Sequence, residues 1–173
     1  MNRSTHAPPS RTPRADRSTY DRALDILDSR ARSVVELRRM LIRKGEPASD
    51  VDAAIDRLRG AGLLDDASYA RQLVRSKAVG AGQSRRRIGQ ELARRGVERS
   101  VADAAIAHVF EEEQVNEAAS IERVARKKLK TLAKLDAVTQ RRRLYAFLAR
   151  RGYDSDAIGG ALRELVAESE SDV

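Results

Sequence analysis

Apolar side chains recur every three or four positions along most of this chain, which is the spacing of one face of an α-helix. Leu37 and Leu41 lie four residues apart and are followed, after the same interval, by Gly45. A glycine just after the last apolar position, with Pro47 shortly beyond it, is a common end signal of a helix. The pattern therefore predicts a helix over residues 33–44 that ends at Gly45.

This arrangement of two apolar residues and a glycine occurs three times. The three copies are Leu37-x3-Leu41-x3-Gly45, Ile88-x3-Leu92-x3-Gly96 and Leu144-x3-Leu148-x3-Gly152. Further apolar residues stand ten and thirteen positions after each glycine. A helical segment also precedes each copy, over residues 20–30, 67–79 and 117–131. Self-similarity at intervals of 51 and then 56 residues indicates a tandem array of helical modules.

These copies divide the chain into three modules of three helices each. We expect the modules over residues 19–64, 65–113 and 114–166, with a disordered basic tail over 1–18 and an acidic, frayed tail over 167–173. Each glycine is expected in the left-handed conformation, where a side chain would be strained. A module of about 50 residues buries little apolar surface alone, so stacked neighbours would extend the core. The predicted fold is all-α, with three tandem three-helix, helix-turn-helix-like repeats forming an elongated curved array.

Composition and motif spacing exclude several classes of function. The chain has no cysteine, which removes disulfide bonds, thiol nucleophiles and cysteine-ligated zinc. His6 and His108 are too far apart for a paired-histidine zinc motif, and Gly80-Ala81-Gly82 lacks the Lys-Ser/Thr pair of a phosphate-binding loop, so it is interpreted as a flexible turn. No group of residues has the spacing of a catalytic site. We therefore expect a protein that is not an enzyme and uses no cofactor or metal.

Hydropathy predicts a protein of the cytoplasm. No apolar run approaches the about 20 residues that span a bilayer, so no contact with a membrane is expected. The N-terminus lacks the apolar region of a signal peptide.

An excess of positive charge indicates an acidic partner. The 34 Lys and Arg exceed the 26 Asp and Glu, which gives a formal net charge of +8. In the second and third modules arginines fall on the helix faces opposite the apolar residues, whereas the first module places Val35, Glu36 and Arg43 there. A surface for a polyanion or an acidic protein and a merely solvated surface are the alternatives. Tyr145, Phe147 and Tyr153 are interpreted as packing residues, which favours phosphate contact over base recognition.

Several segments of the second and third modules match the pattern of a known family. They are Leu63-Leu64-Asp65-Asp66-Ala67-Ser68-Tyr69-Ala70-Arg71, Val74-Arg75-Ser76-Lys77, Ser84-Arg85-Arg86-Arg87-Ile88-x-x-Glu91-Leu92-x-x-Arg95-Gly96-Val97 and Phe147-Leu148-Ala149-Arg150-Arg151-Gly152-Tyr153. Together they resemble the RecX family of recombinase regulators, over roughly residues 20 to 166. Two positions depart from the family pattern: Gln83 follows the Gly80–Gly82 turn where many relatives have proline, and Arg95 stands where lysine is common.

The resemblance implies a non-enzymatic modulator of the RecA recombinase. Such proteins lie in the helical groove of the RecA filament on single-stranded DNA, and they inhibit ATP hydrolysis and strand exchange by limiting filament growth or promoting disassembly. We expect this chain to act as a monomer and to touch DNA either directly or only through RecA. Contacts to acidic RecA surface or DNA phosphate are expected from Arg71, Arg75, Lys77, Arg86, Arg87, Arg94, Arg126, Lys127, Arg142, Arg143 and Arg150.

Two other classes of function fit the residues. One is a helix-turn-helix DNA-binding protein. A true sequence reader of this kind would prefer one duplex site and survive an excess of nonspecific DNA, whereas one acting through phosphate contacts would not. A general helical scaffold or RNA-binding module would have no effect on RecA.

Overall fold

The computed structural model describes residues 17–171, and it describes side chains for residues 17–165. The described part contains no β-strand; its helices are α1 Thr19–Ser29, α2 Val34–Arg43, α3 Ala48–Gly60, α4 Asp66–Arg75, a π-helical segment Ser76–Gly80, α5 Arg85–Arg94, α6 Arg99–Glu112, α7 Glu117–Lys130, α8 Ala137–Arg150 and α9 Ser155–Ser171. The prediction of an all-α protein with three tandem three-helix repeats is confirmed. Apart from Arg17 and Ser18, the predicted basic tail lies outside the described residues. The segment predicted to fray is helical as far as Ser171.

Polar side chains cap the helix N-termini. Ser18 and Ser33 each accept a hydrogen bond from the third residue of the helix that follows, and Asp21 and Glu36 bond back to the cap backbone. Helix α3 begins after Pro47 without a side-chain cap, and single caps precede the five helices α4 to α8, from Asp65, Ser84, Glu98, Asn116 and Asp136. Because these caps satisfy N–H groups that have no partner within the helix, local sequence sets where the helices begin.

The three repeated glycines end their helices in the left-handed conformation. Their φ angles are +88° at Gly45, +78° at Gly96 and +92° at Gly152. A side chain in this region meets its own carbonyl, so glycine is the favoured residue. The prediction for these three positions is confirmed.

The helix predicted over 67–79 is divided in two. The α-helical geometry of α4 ends at Arg75, and the π-helical segment continues to Gly80. A turn does follow this segment, and its Gly82, at a φ of +58°, packs against α7. A Cβ at Gly82 would lie 2.5 Å from Cγ1 of Val124.

Residues 17–64 form one compact unit with its own core. Fully buried side chains from all three of its helices meet there: Ala23, Leu37, Leu41, Val51 and Leu58. The buried carboxylate of Glu46 accepts hydrogen bonds from Thr19 at 2.6 Å and from Arg22. These bonds, with that from Thr19 the stronger, hold the pKa of Glu46 below its ordinary value.

The second and third repeats together form the other unit, over residues 65–171. Each has its own apolar cluster, but the turn after α8 packs on the start of α5. The backbone N–H of Ser84 donates to the carbonyl of Arg151 at 3.0 Å, and the hydroxyl of Tyr153 donates to the carbonyl of Gly82 at 3.1 Å. Burial raises the pKa of Tyr153 to about 12. Hydrogen bonds in a buried position thus join the two repeats.

Candidate interaction surface

Helix α8 is rich in arginine and contains no carboxylate. No Asp or Glu stands between Asp136 and Asp154. Four arginines of α8 are exposed, Arg141, Arg142, Arg143 and Arg150. Within residues 17–165 none of these four has an ion-pair partner. A cation without an internal partner is available to an external anion without breaking an existing pair.

The neighbouring helix α7 adds basic residues of two kinds. Lys127 is exposed and makes no ion pair with the described part of the chain. Arg126, in contrast, lies 3.7 Å from Glu122 in the same helix. Of the predicted site residues, Lys127, Arg142, Arg143 and Arg150 therefore form a set of exposed, internally unpaired cations, which we call the third-repeat basic set.

The predicted residues on α4 and the π-helical segment are partnered within the second repeat. Arg75 donates to Glu113 at 2.5 Å and to Glu112 at 2.6 Å, and the first of these bonds raises the pKa of Arg75. Lys77 lies 3.5 Å from Glu91. Arg71 is half-buried and donates to the hydroxyl of Ser68 at 3.0 Å. An external anion would have to compete with these groups.

Two predicted residues on α5 contact the third repeat rather than facing away from the protein. Arg86 is exposed, but its Nε donates to the carbonyl of Gly152 at 3.1 Å. Arg87 is half-buried, and a Cβ built on Gly152 would lie 2.5 Å from the Cβ of Arg87. The prediction that Arg87 faces outward is wrong. It placed the residue opposite the core of its own repeat, which is where the third repeat packs.

Arg94, at the other end of α5, is exposed as predicted. Its Nε donates to the backbone carbonyl of Gln90 at 3.2 Å, one turn earlier in the same helix. The contact leaves the remaining guanidinium donors for other partners.

The three aromatic residues predicted to pack are not alike. Tyr153 is 5% exposed and Phe147 is half-buried beneath Arg151, whose guanidinium carbon lies 4.1 Å from the ring centroid. Tyr145, however, is 41% exposed, so the interpretation of this residue as core is wrong. It lies at the edge of the apolar face of α8, next to Leu144, which takes the core position.

The described residues show neither a metal site nor a membrane-spanning helix. They contain no group of three His, Asp or Glu side chains that could hold a metal ion. His108 is exposed and lies 3.7 Å from Glu112. None of the described helices is long and apolar enough to cross a bilayer.

Comparison with known proteins identifies the family. Models of the first, second and third three-helix domains of RecX match residues 20–58, 65–106 and 116–162. The chain belongs to the RecX family. Curated RecX relatives are each named "Regulatory protein RecX". The one from Mycobacterium avium strain 104 is 39% identical over 168 residues, covering 94% of this chain and 95% of the relative. The one from Pelodictyon phaeoclathratiforme is 33% identical over 150 residues, covering 87% of this chain and 90% of the relative.

Solved RecX structures share the fold. The crystal structure of RecX from Lactobacillus salivarius superposes with a TM-score of 0.66 at 19% identity, over 86% of this chain and 95% of that one. A second crystal structure of regulatory protein RecX gives a TM-score of 0.68 at 23% identity, over 84% and 71%. The family resemblance seen in the sequence is confirmed, and the relatives bear the name of regulators rather than of enzymes.

Proposed function

We propose that this protein binds the RecA filament on single-stranded DNA and inhibits RecA's ATP hydrolysis and strand exchange, by limiting filament growth or promoting disassembly. The observation that carries the proposal is the match of three RecX domains in chain order over residues 20–162. The proposed place of action is the cytoplasm, where the protein works as a monomer.

Tandem repeats give such a regulator a physical advantage. Each repeat makes a weak contact, but linked contacts raise the effective concentration of the next one. Repeats that touch several RecA protomers at once would bind a filament better than a free protomer. The filament equilibrium then shifts only by the difference between these two affinities.

Charge indicates which residues make the contacts. The residues of the third-repeat basic set have no ion pair within the described residues that would have to break. We therefore assign to them the first contact with acidic RecA surface or DNA phosphate. Arg94 is exposed and can join them. Arg75 and Arg126 can exchange their present partners, since exposed ion pairs are weak. Arg71 and Lys77 are half-buried, so an external anion would have to displace the hydrogen bond to Ser68 and the pair with Glu91. Arg86 and Arg87 contribute indirectly, because they hold the junction between the second and third repeats.

The decisive assay is RecA's ATPase rate on single-stranded DNA, titrated with this protein at two salt concentrations. We expect inhibition at well below one protein per RecA, without matching sequestration of free DNA. No inhibition, together with tight binding to one preferred duplex sequence, would instead support a helix-turn-helix DNA-binding protein.

Charge reversal tests the assignment of residues. We expect Arg142→Glu, Arg143→Glu and Arg150→Glu together to raise the protein concentration needed for half-inhibition by about tenfold or more, because attraction becomes repulsion at each contact. A matched control reverses Arg39, Arg43 and Arg59, which are exposed residues of the first repeat. Both variants lower the net charge equally and should keep their helicity. Equal loss in both would mean that net charge, not this surface, drives binding.

A further inference from the structure

Helix α8 contains no Asp or Glu and presents an exposed aromatic ring among its arginines. Tyr145 is 41% exposed, whereas Phe110 and Tyr153 are 2% and 5% exposed. Val138 on the same helix is 79% exposed. Amphipathic aromatic rings left at a surface are typical of binding sites.

Helical spacing places two arginines beside this ring. Arg141 and Arg142 precede Tyr145 by four and three residues, and Val138 precedes Arg141 and Arg142 by three and four. Residues at these intervals are neighbours on a helix surface, with Cβ atoms about 5–6 Å apart. Val138, Arg141, Arg142 and Tyr145 therefore form one continuous stripe, which we call the Tyr145 stripe.

The ring is tethered and its neighbours are unpaired. The hydroxyl of Tyr145 lies 3.0 Å from the hydroxyl of Ser155, the first residue of α9. A side chain held in this way loses less conformational entropy when a ligand packs on it. Arg141 and Arg142 make no ion pair within residues 17–165, so an incoming anion breaks no existing contact.

We propose that Tyr145 stacks on a base of single-stranded nucleic acid while Arg141 and Arg142 contact the adjoining phosphates. A cationic surface with an aromatic platform is how sequence-tolerant single-strand binding works, since every base has a π-face. The proposal rests on the proposed function for its choice of single-stranded DNA, and it adds a direct base contact to it. An acidic protein segment could satisfy the arginines but would leave the ring without a flat partner.

Fluorescence gives a direct test because the chain contains no tryptophan. Tyr145→Trp introduces a single indole that can still stack on a base. We expect oligothymidylate to quench its emission in a saturable manner, with RecA absent. The control is Tyr20→Trp in the first repeat, whose emission should stay unchanged. Quenching of both indoles, or equal quenching of Trp at position 145 by polyglutamate, would overturn the proposal.

Affinity for oligothymidylate separates stacking from charge. Tyr145→Leu removes the ring but keeps apolar bulk, and it should weaken binding by about 5- to 30-fold. Tyr145→Phe keeps the ring and should bind within about twofold of the wild type. Tyr145→Leu should leave the salt dependence of binding unchanged. Arg142→Gln removes one phosphate contact, so the plot of log affinity against log salt concentration should become less steep by about 0.7.

Two outcomes overturn the proposal without touching the proposed function. One is wild-type affinity of Tyr145→Leu for oligothymidylate; the other is a loss in Tyr145→Phe as large as in Tyr145→Leu, which would mean that the hydrogen bond to Ser155 matters instead of the ring. In both cases inhibition of RecA by the wild-type protein would still support the proposed function. Conversely, ring-dependent DNA binding without any effect on RecA would remove the proposed function and keep the base contact.

Discussion

The first and third repeats have the same helical pattern but differ in the ion pairing of their arginines. Helices α2 and α8 each carry two leucines four residues apart and end at a left-handed glycine. In α2, Arg38 pairs with Asp52 of α3 at 2.9 Å. In α8 the arginines have no such partner in the described residues. The first repeat thus neutralises one of the three arginines of α2 within the repeat, whereas none of the four arginines of α8 has an ion-pair partner among the described residues.

The two repeats also differ at the glycine that ends this helix. A Cβ at Gly45 would meet nothing within 4 Å, whereas a Cβ at Gly152 would lie 2.5 Å from both the Cβ of Arg87 and the hydroxyl oxygen of Ser84. Backbone conformation requires glycine at both positions, but close packing requires it only at Gly152. The turn of the third repeat is therefore a packing surface for its neighbour.

The strongest test of this contrast is a pair of alanine substitutions. Gly45→Ala should cost about 1 kcal/mol of unfolding free energy, from the left-handed conformation alone. Gly152→Ala should cost about 3 kcal/mol, because the overlap with Arg87 and Ser84 adds to that strain. Hydrogen exchange of amides in α2 and α8 measures each loss locally. Equal costs would show that the turn after α8 yields without disturbing the second repeat.

A smaller effect is expected from Tyr153→Phe, which removes the hydrogen bond between the repeats. The carbonyl of Gly82 would then lack its buried donor, so we expect a loss of about 1–2 kcal/mol. Tyr20→Phe in the first repeat is the matched control and should be neutral. Urea unfolding monitored by circular dichroism compares the two variants.

Ionisation of the same tyrosine is expected to destabilise the second unit at alkaline pH. The pKa of Tyr153 is raised to about 12, above its ordinary value of 10.0. The stabilisation is therefore complete below pH 10 and is lost as the pH rises toward 12, because the unfolded chain ionises first. Tyr153→Phe should remove this part of the pH dependence. If its alkaline unfolding profile matched that of the wild type, another group would be responsible.

The smallest effect is expected at the buried carboxylate of the first repeat. Because the pKa of Glu46 is lowered, its stabilisation is present above its ordinary pKa of 4.5 and is lost as the pH falls through the lower folded value. Glu46→Gln should flatten this acid dependence while changing stability little at the acid end. Thermal unfolding between pH 3 and 7 provides the measurement. An unchanged acid profile would mean that the bonds from Thr19 and Arg22 do not depend on the charge of Glu46.

Local sequence was sufficient to predict the helices and the threefold repeat. Capping residues such as Ser18 and Asp136 and the helix-ending glycines act on backbone groups a few residues away. Apolar spacing identified Leu144 and Leu148 as core for the same reason. The family motifs then showed that these repeats resemble those of the RecX family. The division of the predicted 67–79 helix was not foreseen, because its geometry changes near the contact between Gly82 and Val124 in another repeat.

The candidate site was only partly predictable. Arginines of α8 were correctly placed on the exposed side, since the apolar face of that helix is well defined. The exposure of Tyr145 was not predicted, because an aromatic residue next to Leu144 lies close to the apolar face of the helix and was interpreted as a packing residue. The absence of carboxylates between Asp136 and Asp154 was the signal in the sequence that could have indicated a binding surface.

The sequence by itself determined the helices, their caps, the threefold repeat, the family and the excess of positive charge. All of these depend on interactions within a few residues or on composition. Only the tertiary structure decided which arginines are free. Arg75 and Glu113 lie 38 positions apart, and Arg86 and Gly152 lie 66 apart, yet each pair is in contact. Helical periodicity reports one repeat at a time, so it cannot show which exposed face of a repeat is covered by its neighbour.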